Sequence, residues 1–309
     1  MSTKVFIDGA AGTTGIQIRD RLDGRGEFSL ITLDDAQRKD DAARAAAINA
    51  ADVVILCLPD DAARQSVAMI ANDTTRVIDA STAHRVAEGW VYGLPEISGH
   101  DAVTGARFVS NPGCYSTGFI ALVAPLVAAG LLPADALLSC NAVSGYSGGG
   151  KAMIADYEGA QGAPAAWRTY ALGLTHKHVP EMQARCGLTH RPIFAPAVVP
   201  IYSGMVVEVP LFRSQLAPGA DAAALRAALA AHYAGSPIVS VAESYEAPTL
   251  PVDLLTDKDS MRLFVFADAA SDQLRLTAVL DNLGKGASGA AVQSLNLMSG
   301  LAETAGLRL

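Results

Sequence analysis

The chain has 309 residues, half of them hydrophobic and 17% charged, with a formal net charge of −8. That composition builds a sizeable core, excludes a disordered chain, and leaves no long basic block for non-specific hold on nucleic acid. No apolar run approaches the ~20 residues of a membrane-crossing helix, and Met-Ser-Thr-Lys leads into a strand pattern without a leader signature, so a cytoplasmic protein with no membrane partner is expected.

Residues 4–8 (KVFID) read as a short buried strand. GAAGTTG follows at 9–15, and residues 16–22 carry helical apolar spacing. A second strand is expected at 28–33, an alanine-rich helix at 40–50, and a central strand at 52–58 (DVVILCL), apolar throughout as for a strand buried on both faces. A helix at 61–71 and a strand at 75–80 continue the alternation, which predicts a doubly wound parallel sheet. The pattern changes after residue 110. A buried helix is expected at 119–129, and longer strands at 136–144, 193–199, 204–211, 261–268 and 273–280. With a helix at 221–234, these predict a mainly antiparallel sheet with helices on one face, an α+β domain. A last helix near 286–301 is expected to return to the first domain. The expected division is 1–110 for dinucleotide binding, with 284–309 packing back on it, and 111–283 for catalysis and dimerisation.

Gly9, Gly12 and Gly15 stand between a strand and a helix. Glycines there let the backbone approach a pyrophosphate whose charge the helix N-terminus stabilises, and Thr13 and Thr14 share the turn. After the second strand, Asp34 and Asp35 suit a ribose diol, whereas Arg38 and Lys39 suit a 2′-phosphate; the cations favour NADP(H), and a solvated charge run remains the plain alternative. Pro59 and Ser81 follow the third and fourth strands, at the edge where open parallel sheets bind ligands. Asp60 or Asp61 also suits a helix cap.

Cys114 lies in SNPGCYSTG at 110–118, at the head of the expected buried helix. Backbone N–H groups and the helix dipole there favour a thiolate, hence a nucleophile. Asn111 is a candidate oxyanion donor beside it. A buried structural cysteine is the ordinary alternative. The other cysteines, Cys57, Cys140 and Cys186, form no CxxC pair, so neither a zinc site nor a redox motif is signalled, and no metal is expected. His176 and His178 in GLTHKHVPE supply an acid/base candidate; on an extended backbone they would share one side, so spacing does not choose between them. Ser144, Gly145 and Lys151 belong to SGYSGGGK at 144–151, a loop whose N–H groups and lysine suit a phosphate or carboxylate. Arg85 and Arg168 are candidates for a substrate carboxylate. Thiol, histidine and dinucleotide loop together predict acyl transfer to sulfur coupled to hydride exchange. The Tyr-x-x-x-Lys helix of short-chain alcohol dehydrogenases is missing, because Tyr146 and Lys151 have the wrong spacing.

GAAGTTG at 9–15, GLPE at 93–96, SNPGCY at 110–115, HKHVPE at 176–181 and DNLGKGASGAAVQSLN at 281–296 are similar to the shorter-form N-acetyl-gamma-glutamyl-phosphate reductases. The resemblance implies a Rossmann-type domain beside a catalytic domain. It implies NADPH-dependent reduction of the small acyl phosphate N-acetyl-glutamyl 5-phosphate to the semialdehyde, through a thioester on Cys114, in arginine biosynthesis. His176 and His178 match the family's histidine pair. Asp281, Asn282, Lys285 and Gly286 match its terminal block, Asn282 on the cofactor side. A homo-oligomer, dimer or tetramer, is expected. The alternatives are an aspartate-semialdehyde dehydrogenase and a non-enzymatic NADP-binding regulator, for which an intact thiol and histidine pair would serve no purpose.

Overall fold

The computed structural model describes residues 2–268 and 272–309. The chain divides into two compact units, Met1–Gly113 with Ala287–Leu307, and Cys114–Gly286 with Arg308–Leu309.

The first unit alternates strands and helices: β1 (Thr3–Asp8), α1 (Thr13–Leu22), β2 (Phe28–Ile31), α2 (Asp41–Ala50), β3 (Val53–Leu56), α3 (Asp60–Ala68) and β4 (Arg76–Asp79). Then come β5 (Val91–Tyr92), α4 (Pro95–Ser98), α5 (His100–Gly105) and β6 (Phe108–Ser110). The sheet order is β2-β1-β3-β4-β6-β5, every pair parallel. The order reverses between β1 and β3, so a crevice of the kind in which open parallel sheets bind ligands opens where the glycine turn follows β1. Alternate residues of the central strands fill two cores. Val5, Ile7, Ile55 and Ile78 pack with Ile18 on one face, and Phe6, Val54, Leu56 and Val77 pack with Ile48 and Ala63 on the other. Burial on both faces explains the unbroken apolar run of β3. Strands β5 and β6 are too short to carry a period of two, and the sequence reading passed over both.

In the second unit, α6 (Cys114–Ala128) leads to β7 (Ser139–Gly145), α7 (Gly150–Glu158), β8 (Arg168–Thr169), α8 (Val179–Cys186), β9 (Ile193–Val199) and β10 (Met205–Phe212). Next are α9 (Ala222–His232), β11 (Val239–Val241), β12 (Met261–Ala267) and β13 (Gln273–Leu280). The sheet order is β11-β12-β13-β10-β7-β9-β8. Antiparallel pairs dominate, as expected, but β7 with β9 and β11 with β12 run parallel, so the sheet is mixed. Helix α6 buries Phe119, Ile120, Leu122 and Leu126, each contributing about 1.5–3 kcal/mol. It approaches the sheet closely because Gly118 has no side chain; a Cβ there would stand 2.9 Å from Val207 Cγ2. Pro125 inside α6 has no N–H for the Ala121 carbonyl, and the Tyr233 hydroxyl donates to that oxygen at 2.8 Å instead.

One π-helical turn, Gly284–Ser288, then leads into α10 (Gly289–Met298) of the first unit. The single helix expected at 286–301 is therefore two elements. Val292 and Leu295 of α10 join the core that holds Ile18. Among the described residues, no helix is long and apolar enough to cross a membrane, and no cluster of three or more potential metal ligands occurs.

Candidate active site

The glycine turn is shaped by two close approaches. Gly9 has φ +91°, and a Cβ there would lie 2.3 Å from Cys57 O; a Cβ on Gly15 would lie 2.6 Å from Gly9 O. Gly12 N–H donates to Gly9 O at 2.9 Å, and α1 starts at Thr13 with no side-chain cap, so its first amides point into the turn. Thr14 follows in the first turn of α1. This bare cradle fits a dinucleotide pyrophosphate. Arg38 and Lys39 sit on a short 3-10 turn beyond β2, where Arg38 is ion-paired with Asp35 and Lys39 is exposed. Asp34 accepts from Ala36 N and Gln37 N, which fixes that turn.

At the carboxyl edge of the same sheet, Pro59 N-caps α3, and Asp60 accepts from Thr82 N and Oγ1 at 2.9 and 2.5 Å. Ser81 is not an open hydroxyl: its Oγ donates to the fully buried Asp79 at 2.7 Å. Asp79 also meets His84 Nδ1 at 2.6 Å, and His84 stacks on Trp90. The sequence reading missed this cluster, in which Asp79 is the last residue of a buried strand. The Cys57 thiol is pushed up to about 12 by burial first, then by Asp79 and Asp8. Arg85 is buried and donates from Nε to Asn111 O at 3.0 Å. Asn111 departs from the expected oxyanion donor, because its Nδ2 is engaged with Ala287 O at 2.9 Å while its buried Oδ1 has no partner among the described residues. The side chain thus presents an acceptor.

Cys114 opens α6, half-buried. Tyr115 follows it in the chain, and Tyr170 is near enough to feel its charge. Burial pushes both phenols above their ordinary range, and the neighbouring Cys114 charge adds to the rise, so both stay protonated. Tyr115 donates to Ala197 O at 3.2 Å. The histidine segment is not extended: His178 has helical backbone angles as the N-cap of α8. The two rings stand 4.6 Å apart at 80°. His178 is buried with its ring 6.0 Å from that of Tyr115, and Ser116 Oγ reaches His178 O at 3.5 Å. His176 is half-buried against Phe194 and Tyr170. The His178 main-chain N–H donates to His176 Nδ1 at 3.2 Å, which assigns the neutral His176 proton to Nε2.

The loop at 144–151 is largely committed to structure. Gly145, Tyr146 and Ser147 donate their N–H groups to the carbonyls of Gly204, Ile201 and Tyr202, which corrects the expectation of an amide cradle there. Ser144 Oγ donates to Gly145 O, and Lys151 is exposed on α7. Asn282 is a buried brace rather than an open cofactor contact. Its Nδ2 donates to Ser147 Oγ and its Oδ1 accepts from Gly204 N, both at 2.9 Å. Asp281 accepts from Ser203 Oγ and the amides of Asp257, Leu283 and Gly284, which locks the turn preceding α10. Gly286 lies against the thiol residue; a Cβ there would be 2.9 Å from Cys114 Cβ. Arg168 is half-buried on β8, its guanidinium 5.3 Å over the Tyr157 ring.

Residues 32–105 match a family model described as semialdehyde dehydrogenase, NAD binding domain, and residues 114–282 match semialdehyde dehydrogenase, dimerisation domain. The chain is 51% identical over 312 residues to an N-acetyl-gamma-glutamyl-phosphate reductase of Chelativorans sp. strain BNC1, covering 97% of this chain and 100% of that protein. It is 50% identical over 307 residues to the protein of the same name from Rhizobium johnstonii, covering 96% and 99%. Among solved structures, aspartate semialdehyde dehydrogenase II of Vibrio cholerae complexed with ASA superposes with a TM-score of 0.73 at 18% identity, covering 96% of this chain and 98% of that one.

Proposed function

The chain belongs to the N-acetyl-gamma-glutamyl-phosphate reductase family of semialdehyde dehydrogenases, and from that premise we propose that it reduces N-acetyl-glutamyl 5-phosphate to N-acetyl-glutamate 5-semialdehyde, with phosphate release, in arginine biosynthesis. The observation that carries the reading is Cys114 at the open end of α6, beside two protonated phenols, in the unit that also presents His176 and His178.

Cys114 sulfur attacks the acyl carbon, the C–O bond to phosphate breaks, and a thioester forms. NADPH, held at the Gly9–Gly15 cradle, would supply the hydride that the thioester carbonyl needs. The oxyanion is held by N–H donors, the Cys114 amide and His176 Nε2–H. His176 suits donation because its Nδ1 already accepts the His178 amide. His178 then serves as the acid/base that returns a proton as the C–S bond breaks and the aldehyde leaves. Arg168 takes the substrate α-carboxylate. The cradle at Gly9, Gly12 and Gly15 holds the pyrophosphate, and Arg38 and Lys39 favour NADP(H) over NAD.

A spectrophotometric assay in reverse tests this. Semialdehyde, phosphate and NADP⁺ should give NADPH only when all are present. Activity with aspartate semialdehyde alone would overturn the substrate assignment. Cys114→Ser should lose at least about 10³-fold in kcat with NADPH affinity nearly unchanged; a variant keeping much of its rate refutes the covalent route.

A second copy of the chain is the proposed partner. The face of the second unit's sheet exposes Leu137 (72%), Ile193 (60%) and Phe212 (56%) around a cleft of about 830 Å³, within the segment matched to a dimerisation domain.

A further inference from the structure

Tyr157 in α7 is 6% exposed, and its hydroxyl is closed off from water with no hydrogen-bond partner among the described residues. A buried hydroxyl without a partner is disfavoured in a folded protein, and phenylalanine would fill the same space without that cost. The ring has two packing partners. Tyr146 stacks on it at 4.9 Å and 9°, and the Arg168 guanidinium lies 5.3 Å over it. Tyr146 is in turn fixed by its hydroxyl on Glu158 and by Tyr202 against its edge. The Tyr157 hydroxyl is therefore held at a set place by a rigid aromatic stack, next to a cation on a long, movable stem.

The spacing along β8 relates this stack to the thiol. Arg168 and Tyr170 are two residues apart on an extended segment, and Tyr170 N–H continues the ladder onto Pro196 O at 3.2 Å. Residues two apart share a side and stand about 6.6 Å apart. Tyr170 packs its ring edge-on against His176 at 5.7 Å, close enough to Cys114 to feel its charge. In a five-carbon acyl phosphate, the carboxylate carbon is about 5 Å from the reacting carbon. A substrate whose acyl carbon meets the sulfur thus carries its carboxylate to Arg168, and the nitrogen on its α-carbon to the neighbouring Tyr157.

We propose that Tyr157 is a specificity-determining residue whose hydroxyl hydrogen-bonds the acylamino group on the substrate's α-carbon, uncovered when the Arg168 guanidinium leaves the ring for the substrate carboxylate. The proposal rests on the acetylated-glutamyl reading given above. It makes Tyr157 the group that separates an N-acylated substrate from one without the amide, because a site built to hydrogen-bond a group disfavours the analogue lacking it.

The test compares Tyr157→Phe with the wild type in the reverse assay, using N-acetyl-glutamate 5-semialdehyde and 5-oxopentanoate, which keeps the aldehyde and carboxylate but has no acylamino group. Tyr157→Phe should lower kcat/KM for the acetylated aldehyde about 3- to 10-fold, the worth of one neutral hydrogen bond, chiefly through KM. It should leave 5-oxopentanoate and the phosphate KM unchanged, and the variant should melt at or above the wild-type temperature. Equal effects on both aldehydes, no effect on either, or a melting point several degrees lower would overturn the proposal. A wild type inactive on the acetylated aldehyde would instead overturn the parent reading.

Discussion

Gly286→Ala adds one methyl group beside the thiol. The new Cβ would stand 2.9 Å from Cys114 Cβ, 3.3 Å from Cys114 Cα and 3.0 Å from Asp281 O. Carbon atoms in contact prefer about 3.5–4.0 Å, so something must move by about 0.6–1 Å. Asp281 resists, because its carbonyl accepts the Gly286 N–H and four donors hold its carboxylate. Cys114 therefore moves, and it is the proposed nucleophile. A displacement of about 1 Å costs on the order of 10²-fold in rate. Overpacking of this kind also costs about 1–3 kcal/mol, which lowers the melting point by roughly 2–12 °C. Steady-state rates of NADPH formation, melting curves and NADPH titration should show kcat reduced 10- to 100-fold with cofactor affinity retained. A variant with kcat within threefold of wild type and an unchanged melting point would refute the claim that the terminal turn sets the position of the thiol.

The glycine turn makes a graded prediction. Alanine at Gly9 meets both a positive φ and Cys57 O at 2.3 Å, at Gly15 it meets Gly9 O at 2.6 Å, and at Gly12 it meets Gly9 O at 3.3 Å. NADPH affinity by fluorescence titration should therefore fall most for Gly9→Ala, by at least about tenfold, and least for Gly12→Ala, the reverse order being the refuting result. Alkaline stability follows from three thiols whose protons are held tightly. Cys57, Cys140 and Cys186 are all raised above an ordinary thiol, burial first. Each holds its proton more tightly folded than unfolded. Each contribution is thus complete below about pH 9 and lost as pH climbs, for Cys57 through about 12. Melting temperatures should decline between pH 9 and 11, and Cys57→Ala should make that decline shallower; identical slopes would remove Cys57 from the account.

The parallel sheet was legible because its signals are local. β1, β3 and β4 are apolar runs bounded by turn residues, and the helices between them show the 3.6 period. β5, β6 and β8 were not legible, being two or three residues long and held as strands only by their neighbours. The parallel pairing of β7 with β9 was equally hidden, since the direction of a partner across fifty residues leaves no mark in either strand. In the candidate site, Gly9, Gly15 and Cys114 stood out in the sequence because each type has a narrow physical use. Ser144–Lys151 misled for the opposite reason. A glycine-rich loop offers amides to whatever accepts them, and here three go to Gly204, Ile201 and Tyr202. Asn282 and Asn111 read as ligand contacts because asparagine suits both a ligand and a brace. Tyr157 and Tyr170 carried no signal, since nothing in a sequence marks a buried hydroxyl without a hydrogen-bond partner or the rings that a tyrosine will pack against.

The histidine pair shows what a backbone adds to a motif. A spacing of two leaves His176 and His178 equivalent on an extended chain. The chain instead turns at His178 to start α8, and the turn points the His178 amide at His176 Nδ1. An imidazole whose Nδ1 accepts a backbone N–H carries its proton at Nε2 when neutral, and it cannot take another there. It is therefore suited to donate a hydrogen bond and unsuited to cycle a proton. His178, as the N-cap of α8, supplies that amide from its own backbone and is the more deeply buried of the two. The asymmetry comes from the onset of a helix: His178 is the N-cap of α8, and Pro180, in the first turn where no intrahelical N–H bond is made, suits a helix start there.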